Sequence, residues 1–261
     1  MVECKKEELK NSQFETFFYE TVNGERLAYY AFFPSVTPKS LIFCIHGGGW
    51  RSCSAECLFM QAAYFARCGA VAVSIDYRLL NETIDVRDGL YDCSVALSSV
   101  RKMVKEKYGK EFPTVALGDS AGGYYACCLG CQKILNAVNP SVKIADVIID
   151  LNGIVDLTGK WNYAIAGERD EALLRSYSPL YNVSKGDATV YIAHGDNDKT
   201  VAIEDAERYR DALNKQGVDN RYVVVTGAAH AFILFDYTHT DTFVQEQIEN
   251  IARYLEEQNL L

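Results

Sequence analysis

Short apolar runs separated by stretches of helical period set the frame of the chain, at residues 41–45, 71–75, 114–117, 147–151, 190–193 and 222–225. Runs of this length without polar alternation predict strands buried on both faces of a sheet. Between them, Val86, Leu90, Leu97, Val100 and Val104 keep to one stripe of a helix, as do Val244, Ile248, Ile251 and Leu255. Two further β-rich runs, 14–19 and 26–33, flank Asn23-Gly24, a dipeptide that predicts an antiparallel hairpin. Strands alternating with helices imply an α/β fold, with a mostly parallel central sheet, helices on both faces and right-handed crossovers. Residues 152–182 have no clear period and are too many for an ordinary connection. They predict a small lid-like insertion within a single domain spanning 1–261.

Composition narrows the classes. A chain of 261 residues with 49% apolar side chains can bury a sizeable core. Its net charge of −9 would repel phosphate backbones and anionic lipid, so neither nucleic acid nor membrane is an expected partner. The opening MVECKKEELK is not followed by an apolar stretch, and no run approaches the length of a bilayer span, so neither a secretory signal nor an anchor is expected. Nine cysteines, an odd number, several of them inside apolar runs, predict reduced thiols in a cytoplasmic protein. Cys53-x3-Cys57 and Cys128-x2-Cys131 match no zinc module, and the second pair falls in a predicted helix over 121–135. The expectation is therefore no metal and no cofactor, with thiols packing as small hydrophobes.

Chemistry is concentrated in two glycine-bearing motifs. Gly118-Asp119-Ser120-Ala121-Gly122 follows the 114–117 run and precedes the predicted helix. A serine on a sharp strand-to-helix turn projects its hydroxyl from the sheet, and only glycine on either side lets the neighbouring elements approach closely. The helix also aims its first N–H groups at the site, which suits a developing oxyanion. The spacing alone carries little weight; its context carries more. His46-Gly47-Gly48-Gly49-Trp50 stands directly after the 41–45 run. Three glycines there leave backbone N–H groups uncovered, as an oxyanion hole requires, and no Lys-Ser/Thr follows to make the loop a phosphate cradle.

With these motifs in place the sequence resembles the α/β-hydrolase family, and within it the HGGG-type esterases related to hormone-sensitive lipase. The resemblance runs from residue 41 onward through HGGGW, Asp76-Tyr77-Arg78-Leu79, GDSAGG, Ser178-Pro179, His194-Gly195-Asp196-Asn197-Asp198 and Ala229-His230-Ala231-Phe232. It implies an oxyanion hole built from the N–H groups of Gly48, Gly49 and Ala121. Close relatives of hormone-sensitive lipase carry a substantial N-terminal helical cap, whereas only about forty residues precede the glycines here. Trp50 is more similar to the small, nearly capless esterases of acetylated or feruloylated carbohydrates.

A nucleophilic Ser120 needs a base among the four histidines. His230 follows the last strand by a short loop, in the Ser, Asp, His order of this fold, and leaves His239 a surface or capping role. Asp196 and Asp198 both lie on the loop where the acid belongs, and periodicity does not separate them. The family's H-G-x-x-D pattern selects Asp198 and leaves Asp196 to shape the turn or cap a helix starting near Val201. Asp119 is expected to be structural, and Asp76-Tyr77-Arg78 is as readily a buried ion-pair loop as a ligand loop. Trp50, Tyr124, Trp161 and Tyr163 are candidates for a pocket wall, with ordinary core packing as the alternative for each.

These readings converge on a carboxylesterase acting on short-chain acyl esters, among them acetylated carbohydrates, through a covalent acyl-enzyme. A serine exopeptidase or amidase would use the same triad, but would want a cap or propeller and acidic groups for a substrate amino terminus. An aminoacyl anilide compared with an acyl ester separates the two. A non-catalytic ligand-binding member of the fold is the third reading, and labelling of Ser120 by a fluorophosphonate would count against it.

Overall fold

A computed structural model describes residues 5–167 and 170–261. Eight strands, β1 (Glu15–Glu20), β2 (Arg26–Phe32), β3 (Leu41–Ile45), β4 (Val71–Ile75), β5 (Thr114–Asp119), β6 (Val147–Leu151), β7 (Thr189–Gly195) and β8 (Asn220–Val225), form one sheet in the order β1-β2-β4-β3-β5-β6-β7-β8. β1 and β2 pair antiparallel as a hairpin, β2 pairs antiparallel with β4, and all other neighbours are parallel. The helices are α1 (Lys6–Lys10), α2 (Phe59–Arg67), α3 (Val86–Tyr108), α4 (Ala121–Gly130), α5 (Gln132–Val138), α6 (Glu171–Ser176), α7 (Pro179–Asn182), α8 (Ile203–Gln216) and α9 (Asp241–Glu257). No helix among the described residues is long and apolar enough to cross a membrane.

The continuous apolar runs are strands whose alternate residues feed two separate cores. Leu41, Phe43 and Ile45 of β3 pack with α3 and α4, while Ile42 and Cys44 pack on the other face with α2 and α9. The same parity holds in β5, where Ala116 faces one core and Val115 and Leu117 the other. The stripes predicted for α3 and α9 are the buried ones. α3 is bounded by an Asp85 capping box and by Gly109 in the left-handed conformation.

Three expectations are corrected. β8 is not buried on both faces, because it is the edge strand and has no neighbour beyond it. The helix expected over 121–135 is two helices, since Cys131 takes an extended conformation between α4 and α5. The helix expected near Val201 starts at Ile203, with Ala202 at its N-cap, so Asp196 does not cap it.

Residues 152–182, apart from Glu168 and Arg169, which lie outside the described residues, are knitted into the domain. Ile154, Val155, Leu157, Ala164, Ile165, Leu174 and Leu180 all join the α3/α4 core. The segment carries a 3-10 turn (Asn162–Ala164) as well as α6 and α7.

Candidate active site

Ser120 stands between β5 and α4 with φ 54° and ψ −117°, a conformation that strains any residue bearing a Cβ. The surrounding backbone holds it there. Its N–H donates to Leu151 O at 2.9 Å, and its carbonyl accepts from Tyr124 N at 3.1 Å and Ile154 N at 3.4 Å. Glycine is required on both sides of the turn. A Cβ on Gly118 would lie 2.1 Å from Gly122 O, and one on Gly122 would lie 2.0 Å from Ile45 O. α4 is therefore pressed against the ends of β3 and β5, and every residue of it is buried.

The loop after β3 places Gly48, Gly49 and Trp50 at φ 101°, 59° and 61°. Gly48 O accepts the N–H groups of Arg51 and Ser52 at 3.1 and 3.2 Å. Among the described residues the N–H groups of Gly48 and Gly49, and that of Ala121 in the first turn of α4, have no hydrogen-bond partner. His46 anchors the start of the loop. Its ring stacks on Tyr77 with centroids 4.3 Å apart, Nδ1–H donates to Gly47 O at 2.8 Å, and the Tyr77 hydroxyl donates to His46 O at 2.9 Å. Burial holds the His46 imidazole below its ordinary range, so it is a neutral structural group.

His230, on the loop after β8, places Nε2 2.8 Å from Ser120 Oγ and Nδ1 2.7 Å from Asp198 Oδ2. Asp198, on the loop after β7, has a side chain fully shielded from solvent, and its Oδ1 accepts the N–H groups of Thr200 and Val201 at 2.7 and 2.9 Å. Burial pushes its carboxyl upward, but the His230 hydrogen bond and the two backbone N–H groups outweigh it and hold the carboxyl below its usual range. Asp196 points elsewhere, its Oδ1 accepting Gly227 N–H at 2.7 Å across the turn after β8. Periodicity left the two aspartates undivided, and the geometry separates them.

Other candidates fall into supporting roles. Arg78 and Asp92 make a buried ion pair, Nε to Oδ2 at 2.7 Å and Nη2 to Oδ1 at 2.8 Å, beneath the loop after β4. Asp119 lies behind the turn, accepting from Asn152 Nδ2 at 3.0 Å, and burial pushes its carboxyl up to about 6. Trp50 and Tyr124, candidates for a pocket wall, are core residues. Both are wholly buried, they pack edge to face with centroids 5.5 Å apart, and the Tyr124 hydroxyl donates to Tyr177 O at 2.9 Å. Large apolar side chains beside a tightly packed turn release more free energy by filling the core than by meeting solvent. Trp161 and Tyr163 are half-buried and pack edge-on against Trp50.

Three residues near the site were not read as part of it. His194, wholly buried, donates Nε2–H to Val201 O at 3.0 Å and lies 3.5 Å from Asp198 Oδ2, so it braces the loop that carries Asp198. His239 accepts Ala229 N–H on Nε2 at 2.9 Å and stacks on Phe243, which ties down the loop that carries His230. Asp150, inside an apolar strand run, lies fully buried under the serine turn, and burial pushes it up to about 7. Only its polarity within that run could have marked it. No group of three or more His, Cys, Asp or Glu side chains among the described residues is arranged to hold a metal ion.

A serine raised on the turn after a central strand, with a histidine arriving from the far edge of the sheet, sets one class apart from other wound α/β folds: the chain has the α/β-hydrolase fold. Comparison with known proteins is more specific. The BD-FAE family model matches residues 32–213, and the chain belongs to that family. It is similar in structure to esterase 2 of Thermogutta terrifontis phosphoramylated by tabun, with a TM-score of 0.82 and 28% identity, covering 95% of this chain and 96% of that one. Against the propionate-bound form of the same esterase the values are 0.81 and 27%, covering 97% of each chain. Among curated proteins it is similar to esterase LipC of Mycobacterium tuberculosis, 23% identical over 231 residues. It is also 22% identical over 302 residues to the non-reducing polyketide synthase Preu6 of Preussia isomera. The matches cover 78% and 84% of this chain, but 55% of LipC and 14% of the synthase, so the chain spans only part of the length of these two relatives.

Proposed function

We propose that the protein is a carboxylesterase for short-chain acyl esters, working through a Ser120-His230-Asp198 triad and a covalent acyl-enzyme. The observation that carries this reading is the unbroken line from Ser120 Oγ through the His230 ring to Asp198, at 2.8 and 2.7 Å, beside the unpartnered N–H groups of Gly48, Gly49 and Ala121. His230 Nε2 takes the Ser120 proton as Oγ bonds to the ester carbonyl carbon, and Asp198 stabilises the imidazolium. The three N–H groups receive the oxyanion, each worth about 3 kcal/mol in the transition state. The imidazolium then returns its proton to the departing alkoxide as the carbon–oxygen bond breaks. Water, deprotonated by His230, attacks the acyl carbon and releases the carboxylic acid and free Ser120.

A short acyl group is supported by the propionate- and butyrate-bound forms of the structurally similar esterase. Acetylated carbohydrates are the natural substrate class proposed, on the resemblance of the HGGGW segment to the small carbohydrate esterases. The test is hydrolysis of an acyl-length series by the wild type and Ser120→Ala. kcat/KM should be higher on acetyl and butyryl esters than on esters of about 12 carbons, and the variant should lose at least about a thousandfold. Full activity in the variant, or a rate that rises with chain length, would refute the proposal.

A further inference from the structure

A cleft of about 340 Å³ opens beside the oxyanion loop, lined among others by Arg51, Tyr163, Leu80, Asn81, Glu82 and Asp85. It adjoins the loop closely, since the Tyr163 hydroxyl stands 3.9 Å from where a Cβ on Gly49 would be. The sheet order fixes which part of an ester would reach it. β3 and β4, whose loops supply Arg51 and the 80–85 wall, lie on one side of β5, and β7 and β8, whose loops supply Asp198 and His230, lie on the other. The leaving oxygen must sit within reach of His230 Nε2 to be protonated. The acyl chain, on the opposite side of the carbonyl carbon, therefore runs toward the cleft.

The charges in the cleft are unequal in availability. The Asp85 carboxylate is engaged by Arg87 at 2.6 Å and by the N–H groups of Arg87 and Ala166. Arg51 is not engaged in this way. Its guanidinium lies over the Tyr163 ring, 4.5 Å from the centroid, and makes no hydrogen bond or ion pair among the described residues. Stacking on the ring fixes the plane and leaves the N–H edges to a ligand. Glu82, exposed on the same wall, is the opposing charge.

We infer that Arg51 is a specificity-determining residue that selects acyl groups ending in a carboxylate, so that half-esters of short dicarboxylic acids are favoured over neutral esters of equal length. This rests on the hydrolase reading above. Hydrolysis would release the alcohol and the free dicarboxylate, with no other reactant than water. An exposed guanidinium–carboxylate pair corresponds to a preference of about fivefold, weakening as salt rises.

The experiment compares kcat/KM for monomethyl succinate, glutarate and adipate with that for methyl butanoate, pentanoate and hexanoate, with acid release followed by pH-stat. The quantity read is the charged-to-neutral ratio at the best chain length. Arg51→Gln should lower the ratio about fivefold and Glu82→Gln should raise it, opposite signs that a merely structural effect of either side chain would not produce. Neutral esters hydrolysed with a ratio unmoved in both variants overturn the inference alone. A complementary pair places the carboxylate on the alcohol, 3-acetoxypropanoate against propyl acetate, and an Arg51-dependent preference there overturns the acyl assignment. If no ester is turned over at all, the hydrolase reading fails and this inference falls with it.

Discussion

Replacing Asp198 by Asn changes only which atoms donate and accept, and the surroundings dictate the result. Oδ1 of Asp198 accepts two backbone N–H groups at 2.7 and 2.9 Å, and Oδ2 faces His230 Nδ1 at 2.7 Å. An asparagine there has one acceptor and one donor end. Turning its NH2 toward Thr200 and Val201 would set donors against two donors, whereas turning it toward His230 disturbs one contact. At about 1–3 kcal/mol for each buried group left unsatisfied, the oxygen stays on the backbone side. The NH2 then faces Nδ1, which must accept, and the ring proton moves to Nε2. A protonated Nε2 cannot take the Ser120 proton. The expected loss is about 10³–10⁴ in kcat, or about 4–5.5 kcal/mol, with little change in KM. The assay is steady-state hydrolysis of 4-nitrophenyl butyrate, with active-site titration to exclude traces of wild type and circular dichroism to confirm folding. Asp196→Asn is the internal control: its Oδ1 can still accept Gly227 N–H, so activity should stay within about threefold. Asp198→Asn within tenfold of wild type, or Asp196→Asn falling equally far, would refute the reasoning.

Two further outcomes concern stability. Asp92→Ala leaves the Arg78 guanidinium buried without its carboxylate, and should lower unfolding free energy by about 3–5 kcal/mol in urea titration; a loss under about 1 kcal/mol would show that the pair does not hold the loop after β4. Asp150 and Asp119 keep their protons to about 7 and about 6 in the folded protein, above the ordinary 3.8, because burial disfavours the ion. A raised carboxyl contributes stability that is full below pH 3.8 and is lost as pH rises through the folded values, so stability should fall between about pH 4 and 7. Asp150→Asn removes the larger part, roughly 4 kcal/mol by that gap, and should flatten the fall; an unchanged slope of urea midpoint against pH would overturn the assignment.

Much of the site was legible because its chemistry demands particular residues in local patterns. A serine on a strained turn requires Gly118 and Gly122 within two positions of it, and an exposed row of N–H groups requires Gly48 and Gly49, so both features leave marks in a few consecutive letters. The pocket wall was less legible. Trp50 and Tyr124 were candidates as aromatics near the motifs, yet both turned inward, since whether an aromatic faces solvent or core depends on neighbours such as Tyr177 and Trp161 that are distant in sequence. The break at Cys131 and the exposure of β8 were hidden for the same reason: a helix end packed on other elements and a strand at a sheet edge differ from their interior counterparts only in what lies beside them.

By itself the sequence determined the alternation of strands and helices and the mostly parallel sheet, because periodicity is a local consequence of backbone geometry, and it marked Ser120 by its flanking glycines and His230 by chain order as candidates. Tertiary structure decided what depends on distance across the fold: Asp198 rather than Asp196 against His230, Asp150 beneath the serine turn, His194 and His239 bracing the loops, and Arg51 in the cleft away from His230. Hydrogen bonds and burial act over a few ångströms in space, and residues 110 positions apart, such as Ser120 and His230, come within that range only once the sheet has formed.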